Sequence, residues 1–199
     1  MFFSSVFSPG FVLARFLTML LVVAGVGLGA PGASAQQSGA TPDLDRLFEE
    51  LAKADDAAQA AVIEDMIWQA WARSGSDTVD LIMARGLEAL ESQDYAVALD
   101  MFSTAIELDP DYAESWNKRA TLYYVINDYD AAIADVTQVL AREPRHWAAL
   151  MGLAVMFDDL DRKEPALGAY RKALEINPQL EDAAEAIERL SVEVEGRGI

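Results

Sequence analysis

The chain contains no cysteine and a single histidine, His146, among its 199 residues. Without thiols there is no disulfide and no thiolate nucleophile, and one imidazole cannot supply the paired His or Cys donors of a transition-metal centre. Basic residues are also scarce: 15 lysines and arginines stand against 33 aspartates and glutamates, for a formal net charge of −18. A surface so acidic repels phosphodiester backbones and anionic headgroups, which argues against nucleic-acid binding and a peripheral membrane role. Catalytic signatures are missing in the same way. The run Gly25-Val26-Gly27-Leu28-Gly29 lacks the strand and the third spaced glycine of a dinucleotide site. No serine sits in a nucleophile elbow. The run Asp158-Asp159-Leu160-Asp161 groups carboxylates but lacks the glycine and distant bidentate glutamate of a calcium loop, so it reads as a solvated turn. His146 follows Pro144 between two helical stretches and reads as a turn or surface residue. No cofactor, metal or catalytic residue is expected.

What the chain does have is a period. Pro110, Pro144 and Pro178 lie 34 residues apart, each closing an amphipathic helical stretch in the phrases Leu108-Asp109-Pro110, Arg142-Glu143-Pro144 and Ile176-Asn177-Pro178. Stacked helical hairpins need small residues where helices approach closely and large ones where gaps must be filled. The columns comply. Small residues run Gly86, Ala120, Ala154, then Ala98, Ala132, Ala166, then Ala105, Val139, Ala173. Bulky columns run Ile82, Trp116, Leu150, then Ala89, Tyr123, Phe157, then Phe102, Val136, Tyr170. Polar turns at Ser92-Gln93-Asp94-Tyr95, at Asn127-Asp128-Tyr129-Asp130 and across residues 158–164 separate the paired helices. Pro165 falls in a first helical turn, where its missing N–H does least harm.

With Trp116, Ala120, Tyr123, Tyr129, Ala132 and Pro144 in its most complete unit, the chain resembles the tetratricopeptide repeat family over residues 79–178. The first unit lacks the aromatic that Tyr123 supplies, and the third has Lys163 where Tyr95 and Tyr129 stand. The stretch from Ala113-Glu114-Ser115-Trp116 to Thr121, followed by Glu143-Pro144-Arg145-His146, is similar to a subgroup of exported bacterial repeat proteins. The resemblance implies an all-α, right-handed superhelix of antiparallel helical hairpins whose concave groove takes a protein or peptide partner. Three repeats are expected at 77–110, 111–144 and 145–178, with a capping helix at 179–190 and a flexible tail at 191–199. Residues 42–76 read as a further helical hairpin, a degenerate repeat or N-terminal cap, because Glu64 stands where the small-residue column calls for alanine.

Residues 1–35 differ in kind. They hold no acid, one base at Arg15, an apolar run over 16–30 and the triplet Ala33-Ser34-Ala35. This is the pattern of a secretory signal peptide cleaved after Ala35, with 36–41 left as a flexible leader. The rival is an uncleaved membrane anchor, but the apolar run has 15 residues against the ~20 needed to span a bilayer. The expected location is therefore the periplasm, with no membrane association after cleavage.

The resemblance implies a groove lined by the first helix of each hairpin. The 34-residue step then names Met83, Asn117 and Met151 in one column, and Leu87, Thr121 and Val155 in the next, with Leu90, Tyr124 and Asp158 beyond. Asn117 and Tyr124 offer hydrogen bonds and a rigid amphipathic surface, and the methionines an adaptable apolar floor. Family members that clamp chaperone C-termini use cationic side chains and asparagine in columns that here hold Met83, Leu87, Ala148 and Gly152. Apolar, backbone-directed binding is expected instead. Acids outnumber bases eight to one over 74–110 but balance them five to five over 145–178, so a basic partner would be steered to the N-terminal half. The sequence thus reads as a non-catalytic adaptor or scaffold of the bacterial envelope. Its rivals are a membrane-anchored accessory subunit of an envelope assembly or cytochrome maturation system, and a hydrolase using Asp158 and Asp159.

Overall fold

The computed structural model describes residues 43–196, so the expected signal peptide, leader and last three residues lie outside it. Its helices are α1 Leu44–Leu51, α2 Ala57–Trp71, α3 Asp77–Glu91, α4 Tyr95–Leu108, α5 Ala113–Val125, α6 Tyr129–Arg142, α7 Trp147–Asp159, α8 Lys163–Ile176 and α9 Glu181–Gly196. No strand occurs among the described residues. Helices α3/α4, α5/α6 and α7/α8 pair as antiparallel hairpins stacked in chain order, an all-α helical-repeat superhelix. The final helix packs on α8 and continues to Gly196, past the boundary expected at residue 190.

The 34-residue period is written into the backbone as well as the side chains. Gln93, Asn127 and Asp161, one per hairpin turn, have φ of 61°, 62° and 56°. In each turn the next amide reaches back to the carbonyl five residues earlier: Asp94 to Ala89, Asp128 to Tyr123 and Arg162 to Phe157, all at 2.8 Å. This left-handed closure satisfies carbonyls that the helix end would otherwise leave free. Asp94 and Asp128 then cap the following helix by accepting from Val97 and Ala131, whereas Arg162 makes no such bond. At the other end of each hairpin, Asp109, Glu143 and Asn177 have φ of −140°, −130° and −126°. A residue before proline is forced into this extended region, which is why each second helix stops there.

The small-residue columns are fully enclosed. Ala98, Ala105, Ala132, Val139, Ala166 and Ala173 are each 0% exposed. Between hairpins, the Pro110 carbonyl accepts from Trp116 Nε1 and from the Arg142 guanidinium, whose plane also covers the Trp116 ring. Arg119 lies over the same indole, pairs with Asp135 through Nε and Nη2 at 2.7 and 2.9 Å, and reaches Ser103 on α4. The first and second repeats are thereby tied by polar bonds as well as by packing.

The hairpin α1/α2 does not stack on α3 in the manner of a preceding repeat. Its stripe of Leu47, Phe48, Leu51, Ala60, Ile63, Ile67 and Trp71 joins one apolar cluster with Trp147, Leu150, Met151 and Ala154 of α7 and with residues of α8 and α9. It thus belongs to the core of the third repeat rather than capping the first. The link to α3 is short: Gly75 turns with φ 82°, and Ser74 donates through N and Oγ to Asp80 Oδ1 at 2.9 and 2.6 Å.

Candidate functional site: the face of the first helices

Helices α5 and α7 present one face to α2. At its centre Glu114, in the first turn of α5, is buried among three partners: Lys118 Nζ at 2.7 Å, Asn117 Nδ2 at 3.1 and 3.2 Å, and His146 Nε2 at 3.1 Å. Burial alone would raise the Glu114 pKa, but the Lys118 charge and the His146 hydrogen bond outweigh it and hold the carboxyl down at about 2. His146 is not the surface residue expected from its loop. It is 0% exposed, and its Nδ1 accepts the Ala149 amide at 3.1 Å to cap α7. A nitrogen that accepts carries no proton, so Nε2 holds the ring hydrogen and donates it to Glu114.

Above this polar node lies aromatic cover from the N-terminal hairpin. Trp71 stacks on His146, and Phe48, Trp68 and Trp71 surround Trp147 with ring centroids 5.8, 5.9 and 4.7 Å away. Lys118 Nζ sits 5.7 Å from the Trp68 ring, adding a cation–π contact between α5 and α2. At the edges Asp45 meets Arg145 at 2.7 Å, Glu64 accepts from Asn177 Nδ2 at 2.6 Å, and the Ala54 carbonyl accepts from Gln179. The indole nitrogens of Trp68 and Trp71 are buried with no hydrogen-bond acceptor.

The residues named for a groove fall into three settings. Met83 and Met151 are 5% and 6% exposed within apolar clusters, and Leu87 and Val155 pack half-buried against those clusters. Asn117 is buried with its amide turned to Glu114, and Thr121 donates to the Asn117 carbonyl at 2.9 Å. Tyr124 is half-buried, and its hydroxyl donates to Asp159 Oδ2 at 3.1 Å. Tyr129 donates to the same oxygen at 3.4 Å. Burial, then the neighbouring Asp159 carboxylate, pushes the Tyr124 hydroxyl well above its ordinary pKa. Asp158 faces α8 and α9: Lys163 binds one of its oxygens and Arg189 the other. Both carboxylates named for hydrolysis are thus engaged by neighbouring side chains. Among the described residues, no group of three or more His, Cys, Asp and Glu side chains is arranged to hold a metal ion. None of the described helices is long and apolar enough to cross a membrane.

Stacked helical hairpins with a 34-residue repeat define a solenoid built for contact between proteins. Residues 83–136 and 117–181 match the tetratricopeptide repeat model, and the chain belongs to that family. It is 38% identical over 153 residues to a TPR repeat-containing protein of Rhizobium etli, covering 77% of this chain and 75% of the relative. A small glutamine-rich tetratricopeptide repeat-containing protein of Mycosarcoma maydis is 30% identical over 100 residues, which is 50% of this chain and 28% of that protein. Among solved structures, the first TPR of Spaghetti (RPAP3) bound to an HSP90 peptide superposes with a TM-score of 0.56. That likeness, at 19% identity over 58% of this chain and 92% of the other, is one of fold.

Proposed function

We propose that this protein is an exported, non-catalytic adaptor of the bacterial envelope that binds a helix or peptide of a partner protein on the face of its first helices. The observation that carries the reading is α2 itself. A 15-residue helix already lies on that face, so the surface has the width, the apolar floor and the polar edge that a helical ligand requires. Val155 borders the surface that α2 covers, Leu87, Thr121 and Tyr124 continue the row of first helices beyond it, and Met83, Asn117 and Met151 form the layer beneath. The columns that would hold a C-terminal carboxylate carry Met83, Leu87, Ala148 and Gly152, so a ligand of the kind seen with the RPAP3 domain would find no cation there. A net basic partner is favoured at the N-terminal repeat, where acids dominate. Export rests on the Arg15, apolar run and Ala33-Ser34-Ala35 pattern of the leader.

Two measurements test this. Fractionation with a mass for the N-terminus should find the chain in the periplasm beginning at Gln36. An intact leader in the membrane fraction would favour the anchored accessory subunit. Affinity capture from an envelope extract should retain a protein on the natural chain that is lost on Thr121→Arg/Tyr124→Ala. Identical retention by both, with unchanged circular dichroism, overturns the binding face.

A further inference from the structure

The α1/α2 hairpin is covalently joined beside the first repeat yet docks on the third, some 75 residues further along the chain. Its contact pattern is that of a ligand. From Ala60 the buried residues of α2 fall at i, i+3, i+7 and i+11, as Ala60, Ile63, Ile67 and Trp71, and Glu64 at i+4 accepts from Asn177. Helices that bind in grooves present this spacing.

Its docked state carries built-in weaknesses. The Trp68 and Trp71 indole N–H groups are buried without an acceptor, whereas in the released hairpin both would reach water. The rim pair Asp45–Arg145 is largely solvent-exposed, at 82% and 37%, and so holds little. The Ser74–Asp80 bonds close over Gly75 and hold residues 74–76 to the start of α3, so the hairpin can swing at residues 72 and 73 without disturbing α3.

We propose that α2 is a resident stand-in for the partner helix, closing the α5/α7 face in the free chain and yielding it to a helix of the same pattern. The displacing helix carries apolar side chains at i, i+3, i+7 and i+11 and a carboxylate at i+4. Acceptors that it brings to the face would meet no orphaned donor there, because both indoles leave with the hairpin. The inference rests on the binding face proposed above and adds its regulation and the pattern of its ligand.

Native-state hydrogen exchange on the full unmodified chain tests the release. Amides of α1 and α2 should exchange at least tenfold faster than those of α7 and α8, through an opening that leaves the latter protected. Exchange of all four helices together, only on global unfolding, overturns the displacement while leaving the binding face standing. The second probe is a labelled peptide of residues 43–73, titrated by anisotropy onto the natural chain, onto Ile67→Asp and onto Asp45→Arg. Ile67→Asp should bind it at least tenfold more tightly than the natural chain, and Asp45→Arg, which leaves the apolar stripe of α2 intact, a few-fold more tightly. Equal affinity for all three chains, or loss of the repeats' helical signal in Ile67→Asp, overturns the displacement. If no chain binds the peptide although exchange shows the hairpin opening, both the displacement and the face fail.

Discussion

The indole of Trp71 lies flat on the imidazole of His146, with centroids 4.2 Å apart and planes 5° from parallel. One histidine ring therefore joins three parts of the molecule: its face carries the N-terminal hairpin, its Nδ1 caps the third repeat, and its Nε2 holds Glu114 of the second. The contact depends on the aromatic face of Trp71, not on its nitrogen, which has no partner.

Trp71→Phe should accordingly leave stability within about 1 kcal/mol of the natural chain, since removing an orphaned donor offsets the smaller ring. Trp71→Ala should cost about 3–5 kcal/mol through the cavity left beside Trp147. Urea unfolding followed by circular dichroism separates the two. A Phe variant as damaged as the Ala variant would mean that the indole nitrogen has a partner in solution.

Glu114 sets an acid limit. Its folded pKa of about 2 lies below its ordinary value of 4.5, because the Lys118 charge and the His146 bond overcome the burial that would raise it. The sign follows directly. The stabilisation is complete above pH ~4.5 and is lost as pH falls toward 2, for a total on the order of 3 kcal/mol. Unfolding free energy measured from pH 6 to pH 2.5 should fall less steeply in Glu114→Gln, which is less stable at neutral pH because it leaves Lys118 unpaired. Parallel slopes for the two chains would refute the assignment.

Gly86 is held by Phe102. A Cβ there would sit 2.5 Å from Cε1 of a ring that is itself 0% exposed, so Gly86 cannot accept the alanine found at positions 120 and 154. Gly86→Ala should destabilise by about 1–3 kcal/mol. Gly168, exposed within α8 with nothing within 4 Å of an added Cβ, should behave oppositely. Gly168→Ala should stabilise by about 0.5–1 kcal/mol. Thermal melts of the two variants should shift in opposite directions.

The capping asymmetry gives a further test. Asp94→Ala and Asp128→Ala each remove a side-chain acceptor from a free helix amide and should each cost about 1 kcal/mol. Arg162→Ala removes no cap, only the guanidinium over Phe157, and should cost no more than about 0.5–1 kcal/mol. Chemical denaturation of the three variants ranks them.

The repeat fold was legible because periodicity survives in a single sequence. The prolines ended the second helices, and the alanine columns lay where helices touch. The residues at 93, 127 and 161 read only as polar turns, since nothing in Gln, Asn and Asp announces a shared left-handed backbone. The hairpin's docking was not legible. Its residues read as one more amphipathic pair, and an apolar stripe does not say which surface it meets when the contact lies 75 residues away. The available hint was compositional: Trp68, Trp71, His146 and Trp147 are too many large rings for two unconnected stretches of chain. The i, i+4 spacing of Glu114 and Lys118 is silent on burial, and it is the cover of the N-terminal hairpin that makes the pair an interior node. His146 misled because a residue next to a proline loop is commonly exposed, whereas here it stands one position before α7 and serves as its cap.

The Pro110 carbonyl, gripped by Trp116 and Arg142, has no counterpart one repeat later. There Leu150 and Ile176 occupy the equivalent positions, neither able to donate from its side chain, beside a cleft lined by Leu140, Pro144 and Lys172. The two joints are consequently held by different bonds: the first through the Pro110 carbonyl and the Arg119–Ser103 contact, the second through the buried Glu114–His146 pair and the Tyr124 and Tyr129 hydroxyls on Asp159. Acid therefore loosens them unequally: protonating Glu114 weakens the second joint, whereas the carbonyl grip of the first offers no carboxylate to titrate.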